Sequence, residues 1–285
     1  MKKIKLKLAL VLEGPEVLAR LKTCLETLDR ALLKYSSEET GPKIELKLCL
    51  LDNGSPIPLA ESLERFCQKE NQYWSSAISL DRLPIKQSPF MALNRLARGT
   101  EADSWLLMSM QTFEIKEDFF TTLLAHLQFS KPSEQKVFVP YIFSEAKAYL
   151  GGRLLGKRAK AKCFSSLSDS AEPMDYFSFQ FFILGAGALL KQGLFKEAYP
   201  QAADIEFAHR LKESSWQIKA CADLWIRLKA HKTPTRHPKM KPHEYKKFIE
   251  TSLFGWQRVV ASLYYPLRFL KSHLWDLAKK WQNAF

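Results

Sequence analysis

The chain has 285 residues, 46% of them hydrophobic, and a formal net charge of +13. That is enough apolar material for one large α/β domain or two smaller ones, and it argues against a disordered or fibrous chain. No run reaches the roughly 18 uninterrupted apolar residues of a membrane-spanning helix; the nearest, FSFQFFILGAGALL, is short and broken by Gln180.

KIKLKLALVLEG alternates and then turns fully apolar, the pattern of a strand ending near Glu13. The preceding lysines superficially suggest a secretory leader, but Lys5 and Lys7 alternate with Ile4, Leu6 and Leu8 and no small-residue cleavage site follows. PEVLARLKTCLETLDRALLKY carries Val17, Leu18, Leu21, Leu25, Leu28 and Leu32 at helical spacing. IELKLCLLDNGSP reads as a second strand stopped by the turn-forming Asp52, Asn53 and Gly54. PLAESLERFCQKE follows as a helix, ISLDRLP as a strand, SPFMALNRLARG as a helix and DSWLLMSM as a buried strand. IKEDFFTTLLAHLQF then predicts a helix and QKVFVPYIF a strand. This alternation predicts a largely parallel sheet flanked by helices, with ligands outside the carboxyl ends of its strands.

GGRLLGKRAKAKCFSSLSDSAEPMD predicts a loop or irregular hairpin. FSFQFFILGAGALLKQGLF reads as a strand, a small-residue turn and a helix start; DIEFAHRLKESS as a helix; WQIKACADLWIRLKAH as one or two strands. These readings place one domain over 1–228. A basic, proline-punctuated linker covers 229–243. A tail over 244–285 has apolar residues every third or fourth position, crowded with Trp, Tyr, Lys and Arg. From Arg227 onward thirteen Lys and Arg face three acids, so most of the charge excess lies in the last fifth of the chain. Such a stripe suits either an anionic membrane surface or docking and dimerisation. Nucleic acid is the weaker partner, because no reading element accompanies the charge. The five cysteines are scattered without metal-ligand spacing, which fits interior thiols in a reducing cytosol.

Several of these stretches, in order, carry a resemblance. LKLCLLDNGSP, KQSPFMALNRLARG, SWLLMSMQTFEIKEDFF, ILGAGALLKQGLF and ADIEFAHRL together resemble the family-two inverting glycosyltransferases of the GT-A fold, in particular the rhamnosyltransferase-like branch. The resemblance covers about residues 3 to 228 and implies a Rossmann-like, mixed, mostly parallel sheet, here with a C-terminal amphipathic helical extension. It implies transfer of a sugar from a nucleotide-diphosphate donor to a glycan or lipid-linked acceptor in bacterial surface polysaccharide or glycolipid synthesis. With the cysteine usage and the basic aromatic tail, the expected location is cytoplasmic, peripheral at the inner face of the membrane.

The resemblance assigns Asp52 to the nucleotide base, where a carboxylate would accept from an imide N–H; the same residue could instead cap its own turn. Asn94 falls on the family's Ala-x-Asn asparagine, and Glu13 lies at the first strand end. Asp204 falls on the general base, with Glu206 and Arg210 at the later acidic and closing basic positions and Gly185 and Gly187 on the acceptor side. Three motifs depart from the family, one of them at Ala203, which replaces the acid expected before Asp204. The metal-binding aspartate falls on Thr112, leaving Glu114 as the nearest acid for magnesium or manganese. The Asn-x-Gly is replaced by Lys86, Gln87 and Ser88, and Lys86 could neutralise the diphosphate itself. Metal dependence is therefore expected to be weak or absent. A catalytically inactive GT-A-like scaffold, or a glycan-binding protein, is the alternative reading.

Overall fold

The structure, a computed structural model, describes residues 3–38, 41–74, 77–144, 147–149, 151–155, 160–164, 174–177, 179–199 and 203–228. The linker, the tail and most of the Gly-, Lys- and Ser-rich middle segment lie outside the described residues.

β1 (Lys3–Leu12), β2 (Lys43–Asn53), β3 (Ile78–Leu83) and β4 (Trp105–Ser109) form a parallel array in the order β3-β2-β1-β4. β1 and β2 are buried along their carboxyl halves, as their apolar runs dictate. α1 (Val17–Ser37) and α2 (Ile57–Glu70) cover one face with Leu21, Leu25, Leu28 and Leu63. α3 (Pro89–Ala97) covers the other with Phe90, Leu93 and Leu96. The strand order therefore reverses between β1 and β4, which makes their carboxyl ends the switch point of the sheet.

Beyond β4 the sheet becomes mixed. β5 (Phe113–Ile115), β6 (Lys136–Ser144), β10 (Phe181–Gly185) and β11 (Gln217–Leu228) extend it as β4-β10-β6-β11-β5, and β7 (Lys147–Tyr149) pairs with β6. β10 runs antiparallel to both β4 and β6, whereas β6 and β11 are parallel. The carboxyl ends of β6 and β11 thus lie at the same end as those of β1, β2 and β4. α4 (Phe119–Leu127) joins α1 and α2 on their face; α5 (Ala186–Gln192) and α6 (Ala203–Glu213) join α3. β8 (Gly151–Leu155) and β9 (Lys160–Phe164) form a separate antiparallel pair.

Two local expectations change, and a third is resolved. The helix expected from Ile115 begins at Phe119, because Phe113 packs edge-on against Phe181 at 4.9 Å and carries its segment into the sheet as β5. The turn expected at Gly185–Gly187 is absent: β10 passes directly into α5. β11 is a single strand with an irregularity between Cys221 and Trp225. Cys221 stands opposite Pro140, which has no N–H to give to the ladder, and the register resumes at Trp225 opposite Tyr141.

Candidate active site

The carboxyl ends of β1, β2 and the β3–α3 connection are tied together by one side chain. Asn53, 3% exposed, donates to the Glu13 carboxylate and to the Gln87 carbonyl at 2.9 Å, and accepts from the Gln87 N–H at 2.9 Å. Lys86 closes the cluster with an ion pair of 2.9 Å to Glu13. Gly54 follows at φ +79°, where a Cβ would stand 2.4 Å from the Lys86 nitrogen, so only glycine lets the two loops approach this closely.

Asp52 lies beside this cluster, 1% exposed. Its Oδ1 accepts from the Ser55 N–H at 3.1 Å, the turn-capping role open to it from sequence. Its Oδ2 faces Arg82 Nε at 3.6 Å, too far for a hydrogen bond, and both atoms are buried without a hydrogen-bond partner. Arg82 is the register partner of Asp52 on the neighbouring strand, so the pair follows from the parallel β2–β3 ladder.

At the exit of β4, the buried Ser109 hydroxyl donates to the Gln111 carbonyl at 2.6 Å, and Gln111 donates to the Gln180 side chain at 2.8 Å. Met110 N–H meets the Gln180 carbonyl at 3.0 Å. The sharp exit is thus pinned to the start of β10. Thr112 follows, buried and neutral. Glu114 sits on β5 opposite Arg227 of β11, with 4.0 Å between carboxylate and guanidinium.

Asp204 occupies the first turn of α6, 6% exposed, and accepts a 2.8 Å hydrogen bond from the Tyr176 hydroxyl. The helix dipole favours a negative charge there. Glu206 and Arg210, one turn apart, close on each other through the Nε and Nη2 atoms of the guanidinium at 3.2 and 3.1 Å, and Lys196 adds a contact of 2.8 Å to Glu206. Arg210 also donates to the carbonyls of Gln192, Gly193 and Leu194, satisfying the end of α5. These two residues therefore shape the segment after α5. Asn94 does the same from α3: its amide donates to the Phe195 carbonyl at 2.6 Å and accepts the Phe195 N–H at 2.9 Å.

The structure thus brings Glu13, Asp52 and Lys86 to one end of the sheet, and holds Asn94, Glu206 and Arg210 around residues 192–196. Gly185 and Gly187 stand apart, at the opposite end of β4. Because β10 is antiparallel, Gly185 pairs with Trp105 at the beginning of β4, where a Cβ would lie 2.0 Å from the Pro132 carbonyl. Sequence reasoning missed Asn53, Arg82 and Tyr176. Strand alternation could have offered Arg82; nothing local marks a tyrosine that reaches an aspartate 28 residues away.

A magnesium or manganese ion on a donor diphosphate would need carboxylate oxygens near Thr112. Thr112 offers none, Glu114 faces a guanidinium, and no group of three His, Cys, Asp or Glu that could hold a metal occurs among the described residues. The described residues do not fit such an ion.

The architecture is similar to solved glycosyltransferases. A crystal structure of GalNAc-T7 with UDP, GalNAc and Mn2+ superposes with a TM-score of 0.59 at 11% identity, over 86% of this chain and 48% of that one. A mannosyltransferase from Pyrobaculum calidifontis, in complex with GDP-Man and Mn2+, gives 0.52 at 13% identity over 91% and 69%. The chain spans about half the length of the first. No protein-family model and no curated protein matches the chain. At these identities the likeness is one of fold: a GT-A-like, Rossmann-type mixed α/β domain. No helix among the described residues is long and apolar enough to cross a membrane.

Proposed function

We propose that the chain is an inverting glycosyltransferase that moves a sugar from a nucleotide-diphosphate donor to a glycan or lipid-linked acceptor in bacterial surface polysaccharide or glycolipid assembly. The observation that carries this reading is the buried Asp52 at the carboxyl end of β2, with Oδ2 left without a hydrogen bond. In the sheet end where GT-A-like proteins hold nucleotides, that oxygen is an acceptor for the imide N–H of a uracil- or thymine-like base. Arg82 beside it offsets the carboxylate charge.

Asp204 is the general base in this reading. Tyr176 orients its carboxylate, which takes the proton of the acceptor hydroxyl as that oxygen attacks the anomeric carbon. The nucleoside diphosphate leaves from the opposite side, so one displacement inverts the configuration. No step passes through a metal. Membrane contact at the cytoplasmic face belongs to the tail over 244–285, whose alternative is docking or dimerisation. Deleting 244–285 and measuring cosedimentation with anionic liposomes separates them: binding that survives the deletion removes the anchor.

The test of the donor site is a thermal-shift series with nucleotides and nucleotide sugars, with and without manganese. A ligand at a hundred times its dissociation constant stabilises the fold by about 2.7 kcal/mol. A selective shift supports the reading and names the donor; no shift with any nucleotide removes it. Thr112, at the position where the resemblance puts a metal-binding aspartate, favours a second reading, a catalytically silent scaffold or glycan-binding protein. That reading requires measurable glycan binding without turnover of any nucleotide sugar.

A further inference from the structure

Lys86, the cation expected to stand in for a metal, is already engaged by Glu13 at 2.9 Å. Two other cations meet at a cavity of about 510 Å³ lined by Glu114, Lys116, Phe143, Trp225 and Arg227, a volume within the range of small-ligand sites. The cavity lies at the carboxyl ends of β6 and β11. Its wall begins two residues after Thr112, so the Cα of Glu114 is within about 7 Å of that of Thr112 by chain length alone.

The aromatic side chains here hold Lys116 without neutralising it. Trp225 stacks on Phe143 at 4.4 Å and meets the edge of Tyr141 at 5.5 Å. The ammonium of Lys116 rests 3.9 Å above the Trp225 ring. A cation–π contact fixes an ammonium but leaves its charge whole, and Lys116 has no carboxylate partner among the described residues. Arg227 is 73% exposed and reaches Glu114 only at 4.0 Å. Among the described residues two cations therefore face one carboxylate, a charge excess suited to an anion. The guanidinium stands against Glu114, the acid nearest to Thr112 in the sequence.

We propose that the cavity of Lys116 and Arg227 is a metal-independent diphosphate-binding site, in which these two side chains hold the phosphates that a divalent ion would otherwise hold. Arg227 offers a planar fork of donors matched to phosphate oxygens, and Lys116 adds a point charge aimed by Trp225. The β11 irregularity after Pro140 brings this about, since it sets Trp225 opposite Tyr141 and Arg227 opposite Phe143. The proposal rests on the donor reading above for its biological ligand, but not for its chemistry.

The experiment compares uridine, thymidine, their diphosphates and inorganic pyrophosphate on the full chain by calorimetry, in EDTA and in manganese. In EDTA each diphosphate is expected to bind at least tenfold more tightly than its nucleoside. Arg227→Ala and Lys116→Ala should each erase most of that advantage while nucleoside affinity and unfolding temperature stay unchanged. Trp225→Leu, which removes the platform under Lys116, should weaken diphosphate binding severalfold. An advantage that appears only with manganese, or that survives the Lys116→Ala, Arg227→Ala double variant, overturns the proposal. If pyrophosphate binds and the variants abolish it, but no nucleoside or nucleotide binds above it, the anion site stands and the donor reading falls. If nucleosides bind and pyrophosphate adds nothing, the donor reading stands and this site falls.

Discussion

Asn94 on α3 closes two hydrogen bonds, at 2.6 and 2.9 Å, on the backbone of Phe195, 101 residues along the chain. Both groups are buried, so removing the amide leaves a backbone N–H and a carbonyl without partners, each costing about 1–3 kcal/mol. Asn94→Ala should lower the unfolding free energy by about 2–6 kcal/mol in denaturant titration. Nucleotide affinity of the folded fraction should be unchanged; a selective loss of nucleotide binding with full stability would return Asn94 to the donor site.

Asp52 separates binding from folding in the opposite sense. Asp52→Asn keeps the size of the side chain and an acceptor for Ser55, but replaces Oδ2 with an uncharged N–H donor, which cannot accept from an imide N–H. Nucleotide-induced thermal shifts should fall to near zero in Asp52→Asn and Asp52→Ala alike. Shifts equal to wild type in both would remove Asp52 from base recognition.

Asp204 and Tyr176 are distinguished by rate. Asp204→Asn is expected to abolish transfer and leave nucleotide binding intact. Tyr176→Phe, which deletes one 2.8 Å hydrogen bond to a carboxylate, should lower kcat by roughly tenfold, with donor KM unchanged. Undiminished turnover of Asp204→Asn with a sugar nucleotide takes the base elsewhere.

His209 on α6 makes stability depend on pH. Burial holds its pKa below the ordinary 6.5, against the opposing pull of Glu213. Below about pH 6.5 the unfolded chain binds a proton that the folded chain resists, so stability is lost as pH falls below that value and is constant above it with respect to this group. The unfolding temperature should drop between pH 7 and pH 5.5, and His209→Gln should flatten that drop. An equal slope in the variant assigns the acid sensitivity to other groups.

Thiol chemistry offers a check on the core. Burial pushes Cys24 and Cys221 up to about 12 and Cys67 up to about 11. At pH 7.5 the native protein should leave these three unmodified by iodoacetamide over an hour, and the urea-unfolded protein should lose all three free thiols, read by peptide mass. Rapid native labelling of Cys24 would contradict its position on the buried face of α1.

The parallel half of the sheet was legible because its strands and helices carry their own periodicities. Leu6, Leu8 and Leu10 alternate along β1, and Leu21, Leu25 and Leu28 recur along α1, and each buries as its spacing requires. The mixed half was less so. β5 is three residues long, too short for any period, and exists because Phe113 finds Phe181 and β11 finds an edge. Gly185 and Gly187 read as a tight small-residue turn, whereas β10 runs directly into α5 and Gly185 packs closely against Pro132, a contact no local pattern encodes. The same limit applies at the site. Asp52 and Asp204 could be nominated from motif-like neighbours, but Tyr176, Arg82 and the Lys116–Trp225–Arg227 group depend on register and on segments distant in sequence.

β10 has a consequence for how the protein is made. As the one strand that reverses direction between β4 and β6, it separates two groups of strands that cannot hydrogen-bond until it lies between them. A ribosome that has released the chain only to the end of β4 has produced a parallel sheet with one raw, apolar edge. That edge stays open to other nascent chains until Gly185 has emerged. The interval is the part of the protein's life in which a chaperone has most to do.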